Sequence, residues 1–334
     1  MRRSRKPIRI ASRVSPLAQA QARQVGEALH RAHGVEIEYY GIESAGDQKA
    51  DAALTDVGGK GLFAHAVEQL VLDGTADLAV HSYKDLPSAG EQPRTGHRHR
   101  PSGGDPRARL TIAAVPRRED PRDCFIAHSA AGFDDLPDGA TFGSASPRRA
   151  AMALRIRPDL NVQVLRGNVQ TRLDKVLQDR QCDATLMAVA GLRRLGLAEH
   201  AGQVMDPHVI LPAASQGALA VQCLIDDHRT IQRCLCLNHA STAEMVRLER
   251  QVIASVDGDC HSPIAAHAEA LTFEAGLFCR LRACALSPDG GRVIQFDATA
   301  HANALPTLVG AAIKSLYEQG AREVLSLSPA TTAS

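Results

Sequence analysis

Through the first two thirds of the chain, short apolar runs alternate with longer stretches in which apolar residues recur at helical spacing. Residues 8–11 read as a strand. Ser15-Pro16 then opens a helix through about His30, because proline at the first helical position after serine is a strong start signal. Residues 36–42 alternate as a second strand, residues 62–72 repeat apolar positions as a helix, and a third strand follows at 78–81. This order predicts a parallel sheet covered by helices. Residues 88–109 break the pattern. Proline, glycine, arginine and histidine with almost no apolar residues read as a surface insertion, with His97 and His99 as solvated side chains.

A second α/β unit starts near Asp123. A short strand at 141–143 leads through Ser144-Ala145-Ser146-Pro147 into a helix containing Arg148 and Arg149. A strand at 161–165 ends at Arg166-Gly167-Asn168, a helix follows at 169–178, and a buried strand at 183–190 leads into Gly191-Leu192-Arg193-Arg194. This last run echoes residues 77–80. Two such halves facing one another would form a cleft lined by polar strand ends. Residues 211–221 read as a return crossing. Beyond 238 the pattern predicts a helix at 241–254, strands at 268–272, 277–286 and 292–298 with a turn at 287–291, and a helix at 305–319. This is an α+β domain with a small antiparallel sheet. The expected division is 1–116 with 217–236, then 117–216, then 237–334.

Composition changes this picture in three places. A chain of 334 residues with 44% hydrophobic content and net charge +1 fits a soluble protein of two or three domains without a general nucleic-acid surface. A basic N-terminus with no apolar h-region, and no run long enough to span a bilayer, point to the cytoplasm. The positive charge comprises 32 arginines and only 6 lysines. Codon bias would enrich arginine and alanine alike, so only arginines placed in motifs carry weight. The eight cysteines show neither zinc spacing nor a disulfide framework and read mostly as small buried hydrophobes. Cys260 differs, because Asp257-Gly258-Asp259-Cys260-His261-Ser262-Pro263 reads as a loop that would expose its thiol.

The candidate chemistry starts at residues 78–87, Leu-Ala-Val-His-Ser-Tyr-Lys-Asp-Leu-Pro. A strand that delivers His81, Ser82, Lys84 and Asp85 at its carboxyl end fits the usual ligand position in open α/β sheets. A solvated Lys–Asp turn is the alternative on these residues alone. Basic residues recur where elements turn: Arg13, Lys60, Lys84, Arg148, Arg149, Arg166, Arg172 and Arg194. Val57-Gly58-Gly59-Lys60-Gly61 lets backbone N–H groups approach an anion, but it lacks Walker spacing, and no G-x-G-x-x-G occurs. The recurrence suggests a ligand with several carboxylates.

Six ordered motifs carry a family resemblance: 13–18, 57–63, 79–87, 165–169, 188–192 and 211–218, joined by the Cys260 loop. Together they resemble the porphobilinogen deaminase (hydroxymethylbilane synthase) family from about residue 8 to beyond 265. The resemblance implies two α/β domains similar to periplasmic binding proteins, facing a cleft, plus a C-terminal α+β domain. It implies a dipyrromethane cofactor held by a thioether to Cys260. It further implies head-to-tail condensation of four porphobilinogen molecules, with loss of ammonia, to give hydroxymethylbilane. Asp85 matches the catalytic carboxylate, with Lys84 beside it. Lys60, Ser82, Lys84, Ser144, Ser146, Arg148, Arg149 and Arg172 match cofactor-holding positions, and Arg13, Ser15, Arg166, Arg172 and Arg194 match positions toward the incoming substrate. No metal, nucleic acid or membrane is expected, and the chain is expected to act as a monomer.

The chain departs from the family pattern at Ala45-Gly46-Asp47, which lacks an arginine, and at Pro147, which replaces leucine. It departs again at Ser215, where glycine is usual, at His261-Ser262, and in the insertion. The rival reading is a two-lobed binding protein for a small polycarboxylate that has lost catalysis; a receptor needs neither the tethering thiol nor the cleft carboxylate.

Overall fold

The computed structural model describes residues 6–43, 62–88, 106–256 and 262–327. Lys60, Cys260, the 45–47 departure, His261 of the 261–262 departure, and residues 89–105 of the insertion lie outside them. The described chain forms β1 (Ile8–Arg13), α1 (Pro16–His33), β2 (Ile37–Ile42), α2 (Leu62–Leu72), β3 (Leu78–Ser82) and β4 (Leu110–Ala114). It continues through β5 (Asp123–Ala127), β6 (Thr141–Gly143), α3 (Pro147–Ile156), β7 (Asn161–Gln163), α4 (Val169–Leu177), β8 (Ala184–Ala188) and α5 (Val189–Arg194). Then come β9 (Leu219–Leu224), α6 (His228–Cys234), α7 (Ala240–Ser255), β10 (Ile264–Phe273), β11 (Gly276–Leu286), β12 (Val293–His301), α8 (Leu305–Glu318) and α9 (Ala321–Leu325).

The chain divides into two compact units, residues 1–118 with 218–243 and residues 119–217 with 244–334. Unit 1 is a five-stranded sheet in the order β2-β1-β3-β9-β4. Strands β1, β2 and β3 are parallel, as their helical connections require, and β9 runs antiparallel between β3 and β4. The chain passes from unit 2 back to unit 1 at 217–218, within the return crossing expected at 211–221, and only residues 219–221 of that stretch belong to β9. Ser15 caps α1 by accepting from the Ala18 N–H, and Pro16 occupies the first turn. Gly34 in the left-handed region closes the helix by donating to the His30 carbonyl. Ala22, Val25 and Leu29 turn one face of α1 onto Ile8, Ile10, Leu78, Val80, Leu219 and Val221.

Unit 2 carries two sheets. The first, β5-β8-β6-β7, repeats the logic of unit 1: β6 and β7 are parallel, β6 and β8 are parallel, and β5 is the antiparallel return strand. Strand β8 therefore occupies the place of β3, in agreement with the echo between their sequences. The second sheet, β10-β11-β12, is antiparallel, with α7, α8 and α9 contributing Leu248, Val252, Leu308, Ala312, Leu316 and Val324 to its core. Ala265, Cys284 and Leu286 of this sheet also enter the core around Phe125, Phe142 and Met152. The C-terminal elements and the second α/β sheet therefore share apolar burial within one unit.

Several boundaries differ from expectation. Strand β7 stops at Gln163, where the Ser144 N–H takes the last ladder carbonyl, and Val164 beyond it is 68% exposed. Strand β8 stops at Ala188, and the apolar run continues as the buried start of α5. Strand β10 begins at Ile264, opposite Ala285, four residues earlier than expected. The last part of the insertion, Pro106–Arg109, is a 3-10 turn, and Arg107 pairs with Glu68 of α2. Six of the described cysteines are buried and Cys236 is exposed. Burial pushes the Cys124, Cys223, Cys234 and Cys284 thiols up to about 12, so they stay protonated and unreactive at neutral pH. Among the described residues, no helix is long and apolar enough to cross a membrane.

Candidate active site

In each α/β sheet the parallel strands end on one edge, and the expected site residues collect there. In unit 1, β1 and β3 are parallel neighbours, so Arg13 and Ser15 leave the same edge as Ser82, Lys84 and Asp85. Strand β3 does not run on into a loop. Tyr83–Asp85 form one 3-10 turn, anchored by donation from the Tyr83 N–H to the Ala218 carbonyl and closed by Leu86 donating to the Tyr83 carbonyl. Tyr83 is buried while Asp85 is exposed, so the turn faces its carboxylate outward from a fixed base. Ser82 is held by Gln21 of α1, whose amide nitrogen lies 2.8 Å from the serine hydroxyl.

Beneath this edge lies a buried polar chain. His81 is buried and its Nε2 lies 3.1 Å from Oε1 of Gln222, whose amide nitrogen donates to Glu68 at 3.3 Å. Burial lowers the His81 imidazole to about 4 against the opposing effect of Gln222, so it is neutral at pH 7.

Unit 2 gathers its residues in the same way. Ser146 caps α3 by accepting from the Arg149 N–H, and Pro147 is tolerated because it occupies the first turn. The Ser144 hydroxyl donates to the Ser146 carbonyl. Arg166 and Arg172 flank Gly167, whose φ of +121° explains the glycine; Arg172 Nε donates to its carbonyl at 2.8 Å. Arg194 ends α5 and donates to the Gly217 carbonyl at 2.7 Å. Burial lowers its guanidinium to about 10, which leaves it charged at neutral pH.

Arg148 and Arg149 are buried, and both face Asp123, the first residue of β5, whose side chain is 0% exposed. Arg148 reaches Oδ2 at 2.7 Å and Arg149 reaches Oδ1 at 2.8 Å. Arg148 also donates to the Leu211 carbonyl at 2.7 Å. Burial alone would raise the Asp123 carboxyl, yet the two guanidinia hold it well below the usual carboxylate range. Sequence reasoning missed Asp123, Gln21 and Gln222. Asp123 stands 25 positions before Arg148, and no local spacing joins them.

Two of the expected site residues that are described keep a buried donor without a partner. Nε of Arg149 and Nε of Arg194 are buried and have no hydrogen-bond partner among the described residues. Buried cationic donors are costly unless an anion completes them. Unit 1 thus carries an exposed carboxylate on a fixed turn, and unit 2 carries two guanidinium donors open to an anion.

Residues 8–232 match the family described as "Porphobilinogen deaminase, dipyromethane cofactor binding domain", and residues 243–315 match "Porphobilinogen deaminase, C-terminal domain". A porphobilinogen deaminase of Sphingopyxis alaskensis is 41% identical over 303 residues, covering 87% of this chain and 90% of that protein. Among solved structures, a putative methionine-binding lipoprotein of Bacillus subtilis superposes with TM-score 0.41 at 13% identity, covering 72% of this chain and 93% of its own. A periplasmic substrate-binding protein of an ABC transporter from Coxiella burnetii gives TM-score 0.41 at 12% identity, covering 71% and 94%. The chain belongs to the porphobilinogen deaminase family, transferases of tetrapyrrole biosynthesis that work on a dipyrromethane cofactor. The open donors of Arg149 and Arg194 fit such a group, since pyrrole acids bring acetate and propionate carboxylates.

Proposed function

We propose that the chain condenses four porphobilinogen molecules head to tail, with loss of ammonia at each step, and releases hydroxymethylbilane for heme biosynthesis. The carrying observation is the Tyr83–Asp85 turn, which sets the exposed Asp85 carboxylate on a buried base beside Lys84 at the sheet edge shared with Arg13. Loss of ammonia from porphobilinogen leaves a cationic azafulvene. A fixed carboxylate stabilises that charge as it develops and can hold a proton from the pyrrole nitrogen. Lys84 supplies a cation for a substrate carboxylate at the same turn.

Dipyrromethane, when bound, supplies the pyrrole carbon to which the first porphobilinogen is joined. Cys260 is its proposed attachment point, and Lys60, Ser82, Lys84, Ser144, Ser146, Arg148, Arg149 and Arg172 are the residues proposed to hold it. Arg13, Ser15, Arg166, Arg172 and Arg194 are proposed to face the incoming porphobilinogen. The buried position of Arg148 and Arg149 on Asp123 supports a pre-set role, since neither side chain needs to be ordered when a carboxylate arrives. The division into domains 1–116 with 217–236, 117–216 and 237–334 belongs to the same reading, as do a cytoplasmic location and action as a monomer.

Intact-mass spectrometry of the purified protein tests it. Two linked pyrrole units are expected on the wild-type chain and none on Cys260→Ala. An unmodified wild-type protein that also makes no hydroxymethylbilane would overturn the reading.

A further inference from the structure

The turn at 215–217 and the first residue of β5 join the arginines of unit 2 into one assembly. Asp123 divides its oxygens: Oδ2 serves Arg148, and Oδ1 is shared by Arg149 and the side-chain amide of Gln216, each at 2.8 Å. Gln216 also donates to the Pro121 carbonyl at 2.7 Å. The next carbonyl, that of Gly217, accepts from Arg194. Gly217 has φ of +85°, and a Cβ there would lie 2.4 Å from the Glu119 carbonyl oxygen, so the turn is seated too closely for any side chain. On the other side, the Ser215 N–H donates to Glu249 at 2.7 Å.

A guanidinium is planar, with its donors in a fixed fan. Fixing one terminal NH2 group therefore restricts the direction in which Nε–H points. Arg149 and Arg194 are each held by a terminal nitrogen, and each keeps a buried Nε–H without a partner among the described residues. Arg148 differs, because both of its terminal nitrogens are engaged, on Asp123 and on the Leu211 carbonyl. Two guanidinia on one carboxylate also leave Asp123 unable to neutralise the pair.

We infer that Asp123, with Gln216, is a positioning residue for carboxylate binding: it holds Arg149, and through the 215–217 turn Arg194, in the pose that leaves each Nε–H for a ligand carboxylate. This rests on the proposed function, since the pyrrole acids bring those carboxylates. Asp123 itself touches no ligand; it acts through Arg149.

The test compares loading of the covalent pyrrole adduct in the full-length protein. Asp123→Asn keeps the shape, removes the charge and turns an NH2 group toward an arginine. Gln216→Met removes the amide donors at similar volume. Intact mass is expected to show the adduct on the wild type, and roughly tenfold less of it on folded Asp123→Asn, the loss of one charge-assisted hydrogen bond. A smaller deficit is expected for Gln216→Met. Combining either with Arg149→Lys is expected to add little beyond Arg149→Lys alone, because the effects pass through one side chain. A merely structural role would lower the melting temperature, leave loading of the folded fraction at the wild-type level, and combine additively with Arg149→Lys. Wild-type loading of folded Asp123→Asn overturns the inference. Should that variant not fold, wild-type loading of Gln216→Met overturns it instead. An adduct missing from the wild type refutes the proposed function itself, before any variant is compared.

Discussion

The two α/β sheets share one plan and fill its key positions with opposite chemistry. In both, the first of the parallel strands leads through a capping serine and a proline into a helix: Ser15-Pro16-Leu17-Ala18 after β1 and Ser146-Pro147-Arg148-Arg149 after β6. In both, an antiparallel strand starts opposite the end of the third parallel strand. Leu219 pairs with Ser82 in unit 1, and Asp123 pairs with Ala188 in unit 2. Where the helix start carries leucine and alanine, the return strand offers leucine; where it carries two arginines, the return strand offers a buried carboxylate. The substitutions are coordinated, because two guanidinia cannot be buried without a partner. One consequence is a division of labour between carboxylates. Asp85 of unit 1 is exposed on a rigid turn, and Asp123 of unit 2 is sealed in the interior.

That contrast is breakable from either side. The largest expected effect is on rate: Asp85→Asn lowers turnover roughly 100- to 10,000-fold, the usual range for a group that handles protons. Circular dichroism and melting temperature should stay near wild type, because the side chain is exposed. Near-normal initial rates would remove Asp85 from its role. Asp123→Ala shows the converse, a loss of stability of about 3–5 kcal/mol in urea unfolding, because two buried arginines lose their partner. A loss below about 1 kcal/mol would mean that the triad is not a structural centre.

The buried polar chain of unit 1 gives a smaller, pH-dependent effect. His81 has its folded pKa depressed to about 4, below the unfolded value near 6.5. The unfolded state therefore binds more protons between those values, so the contribution is intact above pH 6.5 and is lost as pH falls toward 4. The loss is about 3 kcal/mol across that window. Replacing His81 with glutamine should flatten the urea midpoint between pH 7 and 4.5, and an unchanged slope would refute this assignment. The smallest effect concerns Ser215, a non-glycine residue at φ +64° whose buried hydroxyl has no partner among the described residues. Ser215→Gly relieves the strained backbone and should raise stability by about 1 kcal/mol, read as a higher urea midpoint.

Much of this comparison was legible beforehand. Ser-Pro signals located both helix starts, and the echo between residues 77–80 and 183–190 correctly paired β3 with β8. What local pattern could not supply was long-range pairing. The partner of Arg148 is an aspartate in Glu119-Asp120-Pro121-Arg122-Asp123, where three acids look alike and only burial picks out the third. Ala188-Val189-Ala190 reads as continuous strand, because an apolar run does not distinguish a buried strand from a buried helix start. Ala265 and Ala266 carry little strand propensity of their own and are strand because β11 pairs with them. Serine stands at 215 where the family pattern has glycine, and the positive φ explains why the position favours one.

Strand β9 has a consequence for how this protein is made. It lies between β3 and β4, so neither strand has its inner neighbour until residues 219–224 have been synthesised. By then the whole β5-β8-β6-β7 sheet has already been made, although Ala265, Cys284 and Leu286, which complete its core, come later still. Until that moment β3 presents an open, apolar edge, Leu78-Ala79-Val80, of the kind that pairs with a neighbouring nascent chain. The turn that bears Asp85 is tied to the same late segment through the Ala218 carbonyl. On the ribosome, the turn that carries Asp85 gains its anchor only when about two thirds of the polypeptide exists.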